Sequence, residues 1–598
     1  MTALSRVLAC ALAVVLAGGL TTACGVPQWT DVVTEGSGPG AEPAGATVPR
    51  VPEGPDDASD PEEFVRFFLQ AAAADPGNAV EELRPFIHSS EQEDWRPNPQ
   101  VWVVRVEGDP VFTNVPNGER VELTVRPLGI LSDGVVEPRP DSQLREYRFQ
   151  VVSETDVVNE QVGAGVDRAR YRMVDPPDEI LLDQRALAER GYLRPTSIYV
   201  WDDDNDLLVP DLRWLPTAAS PAQAAQAKLE WLIDGPAPWL ESMSGLPGNL
   251  ELQGNPVWRE DRLDVAFTTS EEVGEEMLRR IDAQVWWTLR DLLPDPATVG
   301  LTINGESREI GSSHSSARSI RYRVPASFVL LGDSLVPYVS DQPERPEVQP
   351  ASGTLSAALT GRGREASLAM VHPAGDERWR LSIATADGVV ETALTARAMS
   401  RPVWLNHPPG SGLVVADGRL YRFTAGDAAV QEVIVPGLPG GMTAVAAAPD
   451  GRRLALVADG ELWVASLVRR PDGVGVNRPQ RLPTSLTDVS GVAFIQENWV
   501  AIIGRDGSRT VLFEVTVDGA YEQELPNGDL GAPQTVTNLV GYPGDPDKGN
   551  PRGFLMFEFE DYAVRYDYTR GPSKIQVEEL DTEPPAEDVE PRAPLFAE

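Results

Sequence analysis

The segment GELWVASL, residues 460–467, decides the fold of the second half of this 598-residue chain, because its pattern recurs. In each copy a glycine-led turn feeds a short apolar strand. The other copies are GDSLVPYV at 332–339, GDERWRLSI at 375–383, GRLYRF at 418–423 and GSRTVLFEV at 507–515. In chain order their glycines are 43, 43, 42 and 47 residues apart. Self-similarity at such a period indicates a stacked or radial array of one structural unit.

Further apolar segments precede these turns, so each period holds three to four strands. They lie at 367–371, 412–416, 443–448, 454–458, 491–495 and 499–503. Three to four strands in about 42 residues are typical of a β-propeller blade. With a degenerate last copy at 553–568, we predict an all-β propeller of about six blades over residues 327–582. The acidic, proline-rich residues 583–598 are predicted to form a tail.

Helix and strand signals both occur in residues 60–195. Asp60 is a predicted N-cap, Pro61 suits a first helical turn, and an apolar stripe at helical spacing follows them. Strand-like segments come next, at 101–106, 121–127, 147–152 and 170–174. We therefore predict a small α+β N-terminal domain, with a cone-shaped sheet wrapped on helices as one arrangement.

Residues 196–326 carry a second alternation of strands and helices. The strands are at 197–201, 207–216, 263–267 and 299–303, and the helices are at 220–232 and 271–293. Ser220 is a predicted N-cap, and Pro294 ends the second helix. The order β-β-α-β-α-β predicts a second α+β domain with one sheet and two helices on it.

The N-terminus has the features of an export signal. Residues 7–20 form an apolar run of about 14 residues, whereas a helix needs roughly 20 to cross a bilayer. Small residues then lead to Cys24, which resembles a bacterial lipobox, although Thr21 stands where that pattern usually has Leu. We predict a signal peptide over residues 1–23, cleavage after Ala23, and lipidation of Cys24 by diacylglyceryl and a further acyl chain such as palmitate. The alternative is a secretory signal cut after Ala23 without lipidation.

Residues 24–59 are rich in Gly, Pro, Ala and acidic residues and show no hydrophobic period. Such a composition predicts a disordered tether between the lipid and the first domain. Two or more acyl chains hold a protein stably on a membrane, whereas one binds only marginally. The predicted location is therefore the cell membrane, lipid-anchored, on its extracytoplasmic face.

The net charge of −40, from 91 acidic and 51 basic residues, limits the partners. A field of this sign repels phosphate backbones, which argues against nucleic-acid binding, and it repels anionic lipid, so membrane contact is expected from the lipid on Cys24 alone. The acidity reflects either adaptation to salt or a partner. Only three lysines stand against 48 arginines, which is typical of a GC-rich genome such as that of an actinobacterium.

No residue pattern in the chain predicts an enzyme or a cofactor. The spacing of the four histidines is not that of metal ligands; they are His88, His314, His372 and His407. Once the signal peptide is removed, Cys24 is the one cysteine that remains in this sequence. No P-loop, dinucleotide-binding fingerprint or nucleophile elbow occurs. We therefore predict a non-enzymatic protein without cofactor or metal.

The acidic loop at 202–206 (DDDND) matches the first three alternating ligands of a calcium-binding loop. Leu207 then stands where that loop needs glycine, and Arg213 stands where it needs glutamate. The pattern fails at both positions, so we predict a solvated turn between two strands.

Tryptophans are the remaining signal for binding. Trp231, Trp239, Trp286 and Trp287 all fall in the second domain, and the last two are adjacent on a predicted helix. Adjacent helical side chains point about 100° apart and cannot both face one core. Trp286 or Trp287 is therefore a candidate exposed anchor, with Trp239 as a further candidate. The alternative is a thick core between the two helices.

Several strings of this sequence resemble the LpqB family of actinobacterial lipoproteins, which is associated with the MtrAB two-component system. They are CGVP from Cys24, SIYVW at 197–201, LVPDLRWLP at 208–216, WLIDGPAPWL at 231–240 and LDVAFT at 263–268. The resemblance covers nearly the whole chain. It implies a GerMN domain at 196–326 ahead of the propeller.

The resemblance also implies a function. It implies contact with the extracytoplasmic region of an MtrB-like sensor histidine kinase, and so an influence on cell-wall and cell-division signalling. The alternative is a binding module for cell-wall glycan or peptide, and a third possibility is an enzyme acting on the wall. The third requires a convergent carboxylate cluster in the central funnel of the propeller.

Overall fold

A computed structural model describes residues 50–597 of the chain. Its gaps are at 142, 155–169, 189, 260, 295–296, 312–324, 339–344, 407, 439–440, 471–472, 527–535, 546–552 and 583–588. The predicted signal peptide, the cleavage after Ala23, Cys24 and tether residues 24–49 lie outside the described residues, as do His314 and His407. All described residues belong to one unit, Thr47–Glu598.

The N-terminal domain packs two helices against one sheet. The helices are α1 (Pro61–Ala71) and α2 (Ala79–Leu83), and the strands are β1 (Asn98–Val106), β2 (Val111–Val115), β3 (Gly118–Ser132), β4 (Val135–Pro138), β5 (Arg145–Glu154), β6 (Arg170–Val174) and β7 (Glu179–Asp183). The sheet order is β6-β5-β3-β1-β7, with β2 and β4 paired to β3. Asp60 caps α1, as predicted, and the apolar stripe of α1 places the buried Phe64 and Phe68 rings against Phe86.

Residues 50–59 belong to this domain, so the prediction of a disordered tether is wrong for them. Pro55–Asp57 forms a short 3-10 helix, and Ala58 is buried. Asp56 Oδ1 lies 2.9 Å from Arg172 Nη2 on β6. The composition of residues 50–59 does not predict this ordered structure, because only a few of these residues make apolar contacts.

The second domain has two sheets instead of the one predicted. Its helices are α3 (Pro221–Asp234) and α4 (Glu275–Leu289), and its strands are β8 (Leu193–Trp201), β9 (Leu208–Pro216), β10 (Glu251–Leu252), β11 (Val257–Arg259), β12 (Arg262–Thr268), β13 (Thr298–Ile303) and β14 (Glu306–Ile310). Strands β10 to β14 form a five-stranded sheet, whereas β8 and β9 pair only with each other. The first eight residues of β9 are all buried. One set of hairpin side chains packs on α4, and another shares a core cluster with α3 and the propeller, so the hairpin is covered on both faces.

The propeller consists of six sheets among the described residues, in agreement with the predicted blade number. The strands are β15 (Ser327–Leu331), β16 (Ser334–Pro337), β17 (Ser356–Thr360), β18 (Ser367–Gly375), β19 (Arg378–Thr385), β20 (Gly388–Ala396), β21 (Val403–Leu405), β22 (Ser411–Ala416), β23 (Arg419–Thr424), β24 (Gln431–Val433), β25 (Met442–Ala447), β26 (Arg453–Ala458), β27 (Glu461–Arg470), β28 (Gly473–Arg481), β29 (Thr487–Gln496), β30 (Trp499–Asp506), β31 (Arg509–Thr516), β32 (Glu522–Leu525), β33 (Val536–Tyr542), β34 (Phe554–Phe559), β35 (Tyr562–Asp567), β36 (Gly571–Lys574) and β37 (Pro591–Phe596). Strands β17 to β36 form five antiparallel four-stranded sheets in chain order.

Of the glycines that carry the sequence repeat, Gly375, Gly418, Gly460 and Gly507 lie at the turn between the second and third strands of successive four-stranded blades, and Gly332 lies between β15 and β16 of the three-stranded sheet. In two of these turns, Asp417-Gly418 and Asp459-Gly460, both residues have positive φ (45° and 81°, 50° and 75°). This is the backbone of a type I′ hairpin turn, which glycine adopts without steric cost. The predicted repeat therefore has a local cause in the turn chemistry.

The sixth sheet closes the ring with both ends of the propeller sequence. Its order is β16-β15-β37, and β37 pairs antiparallel with β15. The prediction of an acidic tail is therefore wrong for residues 591–596, where Leu595 and Phe596 are buried. The strand escapes notice because it contains Pro591 and Pro594, which are typical of tails and of sheet edges alike.

Candidate functional site

The acidic loop between β8 and β9 is docked on the propeller. Asp202 is fully buried, and its Oδ2 accepts hydrogen bonds of 2.8 Å from Nε of Arg452 and lies 2.8 Å from Nη2 of the same guanidinium. Its Oδ1 accepts from the backbone N–H groups of Asp206 and Leu207, at 2.8 and 3.1 Å. The prediction of a solvated turn is wrong for this residue, because its carboxylate is the ion-pair partner of a buried arginine.

The neighbouring acidic residues extend the same contact. Asp203 Oδ2 accepts from the backbone N–H of Arg469 at 2.9 Å, and Asp204 Oδ2 lies 2.9 Å from Arg469 Nη1. Carboxylate oxygens of Asp202, Asp203 and Asp204 lie within 4.8 Å of one another, which is close enough to hold a metal ion. Both oxygens of Asp202 are already engaged by donors from the protein, however. In the structure the loop therefore binds the two arginines Arg452 and Arg469.

A second buried contact joins β8 to the next blade. The Tyr199 hydroxyl donates to the carboxylate of Glu497, at 2.9 and 3.1 Å, and accepts from Arg290 Nη2 at 2.8 Å. Beside it, Asn498 Nδ2 donates to Ser197 Oγ at 2.9 Å. Two side chains of one propeller turn thus contact two positions of one strand, which fixes the register of the domain contact.

A third contact lies at the far end of β9. The Trp214 indole N–H donates to Asp518 Oδ2 at 2.8 Å, and both side chains are buried. Asp518 Oδ1 accepts from Thr516 Oγ1 at 2.6 Å and from the backbone N–H of Ala520 at 3.0 Å. Burial raises the pKa of the Asp518 carboxyl, while these three donors act in the opposite direction.

The N-terminal domain is joined to the propeller in the same way. Arg105 Nη2 on β1 lies 2.6 Å from Glu522 Oε1 on β32, and the two side chains are 13% and 4% exposed. Glu522 also accepts from Thr484 Oγ1 at 2.7 Å. Apolar side chains of the N-terminal domain and of this part of the propeller share one core cluster, which includes Trp499 and Tyr521.

A cavity of about 310 Å³ lies among the inner strands of the propeller. Residues of β17, β21, β25, β29 and β33, or residues next to these strands, form its wall. Among the described lining residues Arg401 carries a charge and none is a carboxylate. The carboxylate cluster that a wall enzyme requires is therefore not found in this lining.

Three family models match this chain, domain by domain. Residues 54–188 match the N-terminal domain of lipoprotein LpqB, and residues 340–539 match the LpqB β-propeller domain. Residues 197–309 match a model described as sporulation and spore germination. This chain belongs to the LpqB family. It is accordingly a lipoprotein of LpqB type, which implies membrane anchoring through lipid.

Relatives of the LpqB family align with much of the chain at low identity. The protein from Thermobifida fusca (strain YX) is 28% identical over 310 residues, which are 50% of this chain and 46% of that protein. The protein from Nocardia farcinica (strain IFM 10152) is 25% identical over 559 residues, which are 86% and 89% of the two chains. Among solved structures, TolB from Acinetobacter baumannii is 13% identical with a TM-score of 0.29, covering 58% of this chain and 99% of its own. That score is too low to bear on function.

The tryptophans predicted as anchors in this LpqB-type chain are not exposed. Trp239 and Trp287 are 5% and 6% exposed, and Trp286 is half-buried. Trp287 packs on the Tyr199 ring at 5.7 Å and lies under the Arg290 guanidinium at 3.9 Å. The adjacent pair is covered on two sides because α4 lies between its own sheet and the β8–β9 hairpin. The alternative prediction, a thick core between the two helices, describes Trp286, which packs against a cluster with residues of α3 and α4, but not Trp287, which packs against the β8–β9 hairpin.

The described histidines make ordinary polar contacts in this LpqB-family structure. His88 Nδ1 lies 2.7 Å from Ser90 Oγ, and His372 Nε2 lies 2.9 Å from Ser382 Oγ. Within the described residues, no helix is long and apolar enough to cross a membrane.

Sequence reasoning missed the propeller side of the domain contacts. Arg452 lies in the turn between β25 and β26, and Glu497 lies in the turn between β29 and β30. These turns follow the inner strands of adjacent blades, and both carry charged residues. Charge at equivalent turns of neighbouring repeats is the signal that could have found them.

Proposed function

We propose that this LpqB-type protein is a lipid-anchored platform on the extracytoplasmic face of the membrane. It binds the outer region of an MtrB-like sensor histidine kinase and modulates its signalling to cell-wall and division functions. The observation that carries the proposal is the set of buried polar contacts between the domains, of which the Asp202–Arg452 ion pair is more deeply buried than the Arg105–Glu522 pair. Because these contacts hold the domains together, the chain presents one continuous surface to a partner.

The energetics favour a fixed body over a hinged one. Breaking a buried ion pair leaves an uncompensated charge and costs about 3–5 kcal/mol. The Asp202–Arg452 pair is such a buried ion pair, with side chains that are 0% and 3% exposed. The Arg105–Glu522 pair is almost as deeply buried, with side chains that are 13% and 4% exposed. A partner that reads the relative positions of two domains requires this rigidity.

The lipid on Cys24 has a physical role in the proposal. Anchoring two proteins in one membrane confines the search to a surface and raises their effective concentration, so a weak contact is sufficient. The acidic surface, with a net charge of −40, keeps the body away from anionic headgroups and favours a basic face on the partner.

The experiment is co-purification of the lipidated protein with sensor kinases from membranes. The wild type is expected to retain an MtrB-like kinase, and the Cys24→Ser variant is expected to lose membrane retention and most of the kinase while keeping its fold. Intact-mass measurement of the mature N-terminus checks the lipidation itself. Recovery of no sensor kinase with fully lipidated protein would contradict the proposal.

A second candidate function is binding of cell-wall glycan or peptide. This candidate was favoured by the prediction of exposed tryptophans. Trp239 and Trp287 are buried, so they no longer support glycan or peptide binding. The observation that still supports this second candidate is the propeller cavity, whose lining includes serine and threonine hydroxyl groups. Pull-down on purified cell wall separates it from kinase binding, since a wall ligand is retained without any membrane protein.

A further inference from the structure

The turn between β25 and β26 carries two adjacent arginines that contact different parts of the molecule. Arg452 pairs with Asp202 of the second domain, and its side chain is 3% exposed. Arg453, the next residue, is 1% exposed, and its Nη1 donates to Asn498 Oδ1 at 3.0 Å in the adjacent blade. Two buried guanidinium groups of one turn therefore serve two separate contacts.

One carboxylate of the same turn orients both arginines. Asp450 is fully buried, and its Oδ1 accepts from the backbone N–H groups of Arg452 and Arg453, at 2.8 and 3.0 Å. Its Oδ2 lies 2.8 Å from both Nε and Nη2 of Arg453. Charge-assisted hydrogen bonds of this kind are among the stronger hydrogen bonds of proteins. Asp450 therefore fixes the backbone of both arginines and the side chain of Arg453.

The contact made by Arg453 continues into the second domain. Asn498 is 6% exposed, and its Oδ1 accepts from Arg453 while its Nδ2 donates to Ser197 Oγ at 2.9 Å. The Asn498 amide thus has its oxygen on the guanidinium and its nitrogen on the serine. A continuous hydrogen-bond network therefore joins Asp450 in the propeller to Ser197 on β8.

We propose that the second domain docks on the propeller and is released from it in one cooperative step, with Asp450 as the positioning residue that couples two contacts. One contact is the Asp202 ion pair in the loop after β8, and the other is the hydrogen bond of Ser197 within β8. Residues of one hydrogen-bond network are coupled in their effects on stability, whereas distant residues without shared partners act independently. The inference rests on the proposed function, because a partner that reads the relative positions of two domains needs them to be either docked or free.

Hydrogen exchange on the full-length protein, without any kinase, measures the coupling. The readout is the Arg469 amide, which donates to Asp203 of the docked second domain. Ser197→Ala removes one end of the network and should accelerate exchange of this amide by roughly threefold to tenfold, the effect of one neutral hydrogen bond. Ser307→Ala is the matched control, because Ser307 Oγ lies 2.8 Å from Thr302 Oγ1 within the sheet of the second domain. This control should leave exchange of the Arg469 amide unchanged.

Asp450→Asn tests the positioning role. Asparagine keeps an oxygen for the two backbone N–H groups but presents an amide N–H₂ to the Arg453 guanidinium. We expect it to accelerate exchange of the Arg469 amide by roughly tenfold to hundredfold, the effect of a hydrogen bond to a charged group. Asp183→Asn is the matched control, because Asp183 is 1% exposed and accepts from the backbone N–H and Nε of Arg185, but in the N-terminal domain. It should leave the Arg469 amide unchanged.

The double variant Asp450→Asn with Ser197→Ala decides between coupled and independent contacts. Coupled contacts give an acceleration at the Arg469 amide that falls short of the product of the two single effects by about threefold or more. The same cycle with Asp202→Asn in place of Asp450→Asn leaves the propeller unaltered and should show the same shortfall, so the test stands even if Asp450→Asn does not fold. An acceleration equal to the product, or no effect of Ser197→Ala on this amide, would overturn the proposal. Neither result bears on kinase binding, and failure to recover a kinase would leave the exchange cycle intact.

Discussion

Asp202→Asn is the sharpest test of the ion pair that joins the second domain to the propeller, because the substitution keeps the shape of the side chain and removes its charge. Asn can still accept from the backbone N–H groups of Asp206 and Leu207 with its oxygen, but its amide N–H₂ then faces the Arg452 donors. Breaking a buried ion pair costs about 3–5 kcal/mol. Asp204, 3.7 Å from Arg452 Nη2 and 28% exposed, remains as a weaker partner, so the lower end of that range applies.

Hydrogen exchange measures this loss where it occurs. The amide of Arg469 donates to Asp203, so its protection reports on the docked loop without involving the altered residue. A loss of about 3 kcal/mol in the free energy of local opening accelerates its exchange by roughly a hundredfold. Far from the interface, exchange should stay unchanged.

Two controls complete the design. Glu432→Gln breaks the Arg419–Glu432 pair on the surface, whose members are 64% and 37% exposed, and should cost about 0–1 kcal/mol. The double variant Asp202→Asn with Arg452→Met removes both buried charges and should be less destabilised than the sum of the single variants. If Asp202→Asn accelerates the Arg469 amide no more than Glu432→Gln does, the interface is not held by this pair and the reasoning fails.

Three further predictions concern buried groups. Trp214→Phe removes a donor to the Asp518 carboxylate and should destabilise the protein by about 1–3 kcal/mol in urea unfolding. Burial raises the pKa of Asp518, so the contribution of this group to stability is lost as pH rises through that raised pKa. The variant enlarges this loss, and its deficit should shrink as pH falls through the raised pKa, which lies above the usual value of about 4. Burial lowers the pKa of the Lys228 ammonium, whose Nζ lies 2.5 Å from Asp291 Oδ1, to about 8. The unfolded chain therefore binds more protons there, wild-type stability should rise between pH 8 and about 10.4, and Lys228→Met should abolish that rise. Leu595→Ala on β37 should cost about 2–5 kcal/mol, whereas no cost would mean that this strand does not close the ring.

Features with a local cause could be predicted from the sequence. The propeller repeat depends on glycine turns such as Asp459-Gly460, and the start of α3 depends on the Ser220 capping box with Gln223, both of which are fixed within a few residues. The predicted helix at 271–293 is shorter in the structure, Glu275–Leu289, because Gly274 begins it and a 3-10 turn ends it.

Features with a distant cause could not be predicted. Asp202 resembles a solvated residue until Arg452, 250 positions later, is placed beside it. Trp286 and Trp287 cannot share one core, as the helical geometry requires, but α4 contacts two cores.

Crosslinking in living cells, read by mass spectrometry, tests the central claim most directly. The lipidated wild-type protein should give crosslinks from the propeller or the second domain to the extracytoplasmic region of a sensor histidine kinase. The Cys24→Ser variant should lose most of them. Crosslinks to wall components alone, or an unchanged kinase pattern in the Cys24→Ser variant, would contradict a membrane-confined kinase platform.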